Sequence, residues 1–152
     1  MNKRRALLAS SKKTAPIYKK GAADWQNVEN VIQYQYALAS MDFTPNYLDI
    51  STEDSATTGA RIGLQINEAI YKEYKTLVFT AKRAGATLNP ELIKIGWSEN
   101  SQDINQAIVS YQLSANEEKY KIDVSNDTGT RYILINIYYR GHHVYIYDMH
   151  FE

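Results

Sequence analysis

The residues best placed to do chemistry lie near the C-terminus. His142, Asp148 and His150 share one parity of a strand-like run, and Asp148 and His150 are two residues apart. Side chains two apart on a strand point to the same face. A carboxylate beside an imidazole can pass a proton, and burial raises a carboxylate pKa toward that role. Asp148 is therefore the candidate pocket acid. The alternative is that these strand ends are wet and their side chains solvated. No set of three ligands with a supporting frame is evident, so no metal is expected.

The opposite parity carries a different chemistry. The stretch from Arg131 to Glu152 reads as two strands joined at Arg140-Gly141. A two-residue loop there sets Tyr139 opposite His142, Ile137 opposite Val144, Ile135 opposite Ile146 and Ile133 opposite Asp148. That face is aliphatic and is assigned to the core. The other face sets Tyr138 opposite His143, Asn136 opposite Tyr145, Leu134 opposite Tyr147 and Tyr132 opposite Met149, with no formal charge. Tyrosine combines a large apolar body with a hydroxyl and suits a half-wet contact surface. The candidate interaction face is Tyr132, Asn136, Tyr138, His143, Tyr145, Tyr147 and Met149. It can serve as an interface, as one wall of a ligand pocket, or only as a ladder of cross-strand pairs. A register slip of one residue would exchange the two faces.

Other catalytic signatures are missing. Gly59 and Gly63 lack the Lys-Ser/Thr sequel of a phosphate loop. No nucleophile elbow, zinc-protease pair or kinase signature occurs, and without cysteine there is no thiolate. The acids Asp42, Asp49, Glu53 and Asp54 do not follow the calcium-loop pattern. The pattern favours binding over catalysis and implies no cofactor.

The elements that must position these residues come from one domain's worth of chain, 152 residues with 44% hydrophobic content. No apolar run approaches the ~20 residues of a membrane-spanning helix. The short segment Ala6 to Ala9 is not a signal-peptide core. Compartment is left open, with a cell-envelope association preferred. Charge is uneven. Lys3, Arg4, Arg5, Lys12, Lys13, Lys19 and Lys20 face no acid within residues 1–20. Residues 1–21 are expected to be a basic flexible tail able to touch an anionic surface, with a domain over 22–152. A specific nucleic-acid site is not expected on an acidic body.

Spacing predicts a first helix over Ala22 to Met41, with Trp25, Val28, Ile32 and Tyr36 on one face. A loop follows, in which a helical turn tucks Tyr47 and Leu48 into the core. A second helix is predicted over Ala60 to Ala84, with Leu64, Tyr71, Tyr74, Val78 and Ala81 buried, although its β-branched second half weakens it. The period then drops to two. Strands are predicted over Leu92 to Ser98, Gln106 to Ser114 and Lys119 to Ser125, before the final pair. The fold class expected is α+β, with N-terminal helices packed on a curved, cone-like antiparallel sheet of about five strands.

That order of elements resembles the nuclear-transport-factor-2-like superfamily, with a cystatin-like sheet as the nearest alternative. The residues carrying the resemblance are Gly85 to Ile95, leading from helix to sheet, and the final run Gly141 to Phe151. The resemblance implies a curved sheet folded over helices, often around a cavity. It implies no single function, because the fold hosts enzymes, adaptors and secretion subunits. No catalytic residue can be carried over. Two functional expectations follow. One is a non-catalytic interaction or assembly domain, such as a homo-oligomer or a subunit of an envelope or secretion machine. The other is a small-ligand-binding or isomerase-like protein with a cavity and Asp148 as its acid.

Overall fold

Two-residue alternation governs the whole chain, including the half in which helices are expected. The computed structural model describes residues 13–33, 39–52, 59–86, 88–137 and 141–152. Among them are eleven strands and a single α-helical turn. The α+β expectation is therefore corrected to an all-β sandwich of two antiparallel sheets.

The front sheet contains β3 (Ala39–Phe43), β4 (Leu48–Thr52), β11 (His142–Phe151), β6 (Thr76–Gly85) and β9 (Glu118–Asp123), in that order. Its sixth strand, β1 (Ala15–Lys19), also pairs with β11. The first half of β11 pairs with β4, and its second half with β1. The back sheet runs β2 (Asn30–Gln33), β5 (Ala60–Ile66), β10 (Arg131–Ile137), β7 (Lys94–Ser98) and β8 (Val109–Gln112).

Both predicted helices are strands, and the sequence contains the reason. In β5, Ala60, Ile62, Leu64 and Ile66 are buried, while Arg61 and Gln65 are only partly so. In β6, Leu77, Phe79 and Ala81 are buried at period two, in a run rich in β-branched and aromatic residues. What remains of the second helix is the turn α1 (Glu68–Tyr71), capped by the Asn67 side chain on the Ala69 amide. The first helix gives way to β2 and β3, with residues 34–38 outside the described residues. The expected basic tail also changes. Ala15–Lys19 is β1, whose Ile17 and Tyr18 are fully buried. Residues 1–12 lie outside the described residues.

The expected terminal hairpin does not form. β10 pairs with β5 and β7, while β11 pairs with β4 and β6. The two strands are consecutive in sequence but belong to opposite sheets. Each brings an aliphatic face to the middle: Ile133, Ile135 and Ile137 from the back, Val144 and Ile146 from the front. Burying such side chains contributes about 1.5–3 kcal/mol each.

Trp97 anchors one end of this core. It packs edge-on against Tyr71 (ring centroids 5.1 Å apart) and Phe151 (5.7 Å). Its indole nitrogen donates to Asp127 at 2.5 Å, and Tyr71 donates to the Gly129 carbonyl. The Gly129 amide donates to Glu68 at 2.8 Å. The turn at 126–129 is thus tied to α1 and to the core at once. The Gly129 amide, followed by Lys72 and Arg131, holds the Glu68 carboxyl below its ordinary value of 4.5.

The outer face of the back sheet is covered. Segment 99–107 lies over it, with Ile104 against Gly96 and Ser101 against Gly63. A Cβ at Gly96 would stand 2.9 Å from the Ile104 Cδ1 and 3.0 Å from both the Ser110 Cβ and the Val109 carbonyl oxygen, so a larger residue would force its neighbours to shift. Leu134, on the same face, is fully buried.

Trp97→Ala is expected to lower unfolding free energy by about 3–5 kcal/mol, read as a fall in the urea midpoint at unchanged m-value. The depressed Glu68 pKa sets a sign. Its contribution is complete above the unfolded-state carboxylate pKa and is lost as pH falls through the lower folded value. Glu68→Gln should therefore lose stability at neutral pH and show a shallower decline in acid, measured by melting temperature from pH 7 to 3.

Candidate functional site

The middle strand of the front sheet determines what its outer face presents. Along β11, His142, Val144 and Ile146 point to the core and are buried. His143 and Tyr145 point outward. Tyr145 is paired with Lys82 of β6 on one side and Asp49 of β4 on the other. The register shifts between Ile146 and Asp148. Tyr147 is the extra residue, and beyond it Met149 and Phe151 turn inward while Asp148 and His150 turn outward.

Tyr47 joins these residues from the turn between β3 and β4. Thr44 closes that turn: its hydroxyl donates to the Tyr47 carbonyl at 2.6 Å and accepts from the Tyr47 amide at 3.1 Å. The fixed turn lays the Tyr47 ring against Tyr145, with centroids 4.4 Å apart and planes inclined by 31°. Tyr147 meets the same ring edge-on at 5.8 Å. Such aromatic contacts are worth about 0.5–1.5 kcal/mol each beyond the area they bury. The expected helical turn at 46–50 is corrected here. Leu48 and Ile50 are buried in β4, and Tyr47 stays half-exposed. The alternation Leu48, Asp49, Ile50, Ser51 was the available signal.

Polar groups flank the three rings. His143 Nδ1 lies 2.8 Å from Asp49 Oδ1. Lys82 Nζ stands 5.6 Å above the Tyr145 ring, within cation–π range. Burial pushes the Tyr145 and Tyr147 phenols above the ordinary value, helped by Asp49 at Tyr145 and Glu117 at Tyr147. Both therefore stay neutral as donors and acceptors through physiological pH. The result is an apolar ring platform edged by a carboxylate, an imidazole and an ammonium.

The structure divides the residues of the expected interaction face. His143, Tyr145 and Tyr147 stand together on the front sheet, and Tyr47 completes their group. Tyr132 and Asn136 are on β10, in the other sheet. Asn136 is buried, donating to the Leu92 carbonyl and accepting from Arg61. Met149 is a core residue. Tyr138 lies outside the described residues. His142 is fully buried with its Nε2 2.6 Å from the Leu88 carbonyl, so it does not share a face with Asp148. Asp148 is on the outer surface, 2.5 Å from His150 Nδ1, and its side chain is 42% exposed. It lines an open surface cavity and not an interior one between sheet and helices. Lys13 is committed to Glu73 at 2.6 Å, while Lys19 and Lys20 are exposed. Among the described residues no cluster suits a metal ion, and no helix is long and apolar enough to cross a membrane.

No protein-family model and no curated protein matches the chain. Solved structures do. A carbohydrate binding module of family 29 is similar over 91% of this chain and 87% of its own, at 15% identity and a TM-score of 0.61. A variant of such a module complexed with cellulohexaose matches over 91% and 89%, and another complexed with mannohexaose over 91% and 90%; both are 15% identical with TM-scores of 0.61. The likeness is one of fold. It replaces the nuclear-transport-factor-2-like and cystatin-like resemblance, which had rested on helices that are strands. The expectations drawn from that resemblance, a secretion or envelope subunit and an isomerase-like cavity, fall with it.

The raised phenol pKa values are directly measurable. Ultraviolet difference titration of the wild type against Tyr145→Phe and Tyr147→Phe should show each removed phenol ionising above 10.0. Ionisation at or below that value would mean that the platform is open to water.

Proposed function

We propose that the chain is a non-catalytic carbohydrate-binding module and that the outer face of the front sheet is its binding surface. The observation that carries this reading is the group of Tyr47, Tyr145 and Tyr147 on an open sheet face, edged by Asp49, His143 and Lys82. A pyranose ring has an apolar C–H face and a rim of hydroxyls. The first stacks on an aromatic face through dispersion and weak C–H contacts. The second needs donors and acceptors side by side, which a carboxylate, an ammonium and tyrosine hydroxyls supply. Neutral hexose polymers fit best, because the rim mixes both charge signs.

The fold comparison supports the same reading, since modules of this fold are complexed with cellulohexaose and mannohexaose. Each tyrosine contributes area at low entropic cost, having two side-chain torsions to fix. The tyrosines are already braced by one another, so little ordering remains on binding.

Isothermal titration calorimetry with cellulohexaose and mannohexaose tests the proposal. The wild type should bind at least one of them. Tyr145→Ala should weaken that binding about tenfold or more, equivalent to about 1.4 kcal/mol. Tyr132→Ala, on the opposite sheet, should leave it within about twofold. Equal affinity in the wild type and Tyr145→Ala would overturn the assignment.

A further inference from the structure

The bulge in β11 changes the reach of this surface. Strict alternation from Tyr145 would send Tyr147 and Met149 outward and Asp148 and His150 inward. The extra residue at Tyr147 resets the parity. Tyr145, Tyr147, Asp148 and His150 consequently share the outer face, while Met149 and Phe151 stay in the core. Strand β1 adds Lys19 directly opposite Asp148, and Pro16 opposite His150. Between them lies a cavity of about 240 Å³ lined by Thr14, Pro16, Lys19, Asp148 and His150. His150 is held by both ring nitrogens, with Nδ1 2.5 Å from Asp148 and Nε2 3.0 Å from Glu152. The cavity wall is therefore built before any ligand arrives.

We propose that this cavity is a second subsite, which hydrogen-bonds a further sugar unit of the chain bound on the tyrosine platform. The inference rests on the carbohydrate reading above. Register gives the distance. Tyr145 is opposite Lys82 and His150 opposite Val78, four residues along β6, which is about 13 Å at the rise of a strand. A single sugar does not bridge that span, whereas an oligosaccharide lying along β11 does. Charge decides the class of group received. An anion meets Asp148, and a cation meets Lys19. A neutral polyol uses Lys19 as donor and Asp148 as acceptor together. The platform binds by ring faces, and the second subsite binds by hydroxyls, so the two hold different parts of one extended ligand.

The test compares cellulohexaose and mannohexaose with their disaccharides by isothermal titration calorimetry, on the wild type, Lys19→Ala, Asp148→Asn and Tyr145→Ala. Lys19 and Asp148 are surface positions, and circular dichroism melts would verify folding. The wild type should bind a hexasaccharide at least about tenfold more tightly than its disaccharide. Lys19→Ala, which loses a donor, and Asp148→Asn, which exchanges a charged acceptor for a weaker neutral one, should each remove about three- to tenfold of hexasaccharide affinity and so narrow that gap. If both variants match the wild type while Tyr145→Ala loses binding, the second subsite is overturned and the platform stands. If the wild type binds no hexasaccharide, both fall.

Discussion

Strand β11 is hydrogen-bonded along both edges, to β4 and β1 on one side and to β6 on the other. That constraint leaves its side chains two choices, core or solvent. Val144, Ile146, Met149 and Phe151 fill the space between the sheets, and each is fully buried. Everything they leave behind points outward together. The front surface is the complement of the core, fixed by the same backbone. A bulge is the one device that changes parity without breaking the strand. Placed at Tyr147, it keeps large apolar residues inside on both sides of the shift. It also gathers tyrosines and charged groups onto one open face.

The two faces of the sandwich are managed differently. The back sheet is shielded by segment 99–107, which seats Ile104 against a glycine that has no side chain to resist it. The front sheet presents three half-buried aromatic rings on its outer face. Their contacts with one another bury part of each ring and hold their orientation. Lys82, Asp49 and His143 keep the surrounding surface polar. Clustered apolar surface of this kind is less common on a protein than apolar residues scattered singly.

Expectation and structure diverge where local spacing is ambiguous. Residues 60–84 contain apolar positions compatible with both periods, and a helical face could be drawn through Leu64, Tyr71, Tyr74 and Val78. The sheet prevails because Ile62 and Leu64 meet Ile135 and Ile133 across the β5–β10 ladder. The terminal pair fails for a related reason. Arg140-Gly141 has the composition of a tight hairpin, but β10 and β11 each carry an inward aliphatic face. In the sandwich the two strands lie in opposite sheets, and their aliphatic faces meet across the core.

Sequence alone marked β7, β9, β10 and β11 as strands. Ile93, Ile95 and Trp97, and Tyr120, Ile122 and Val124, alternate as the period-two pattern requires. It also singled out Tyr145, Tyr147 and His143 as surface residues, because strand parity is a local property of the chain. Tertiary structure alone decided their company. Tyr132, Asn136 and Met149 left the group, the first two to the other sheet and the third to the core. Tyr47 entered from a turn 98 residues upstream of Tyr145. Asp148 took the solvated of its two expected settings. Sheet partnership and the bulge depend on contacts distant in sequence, and no local pattern encodes them.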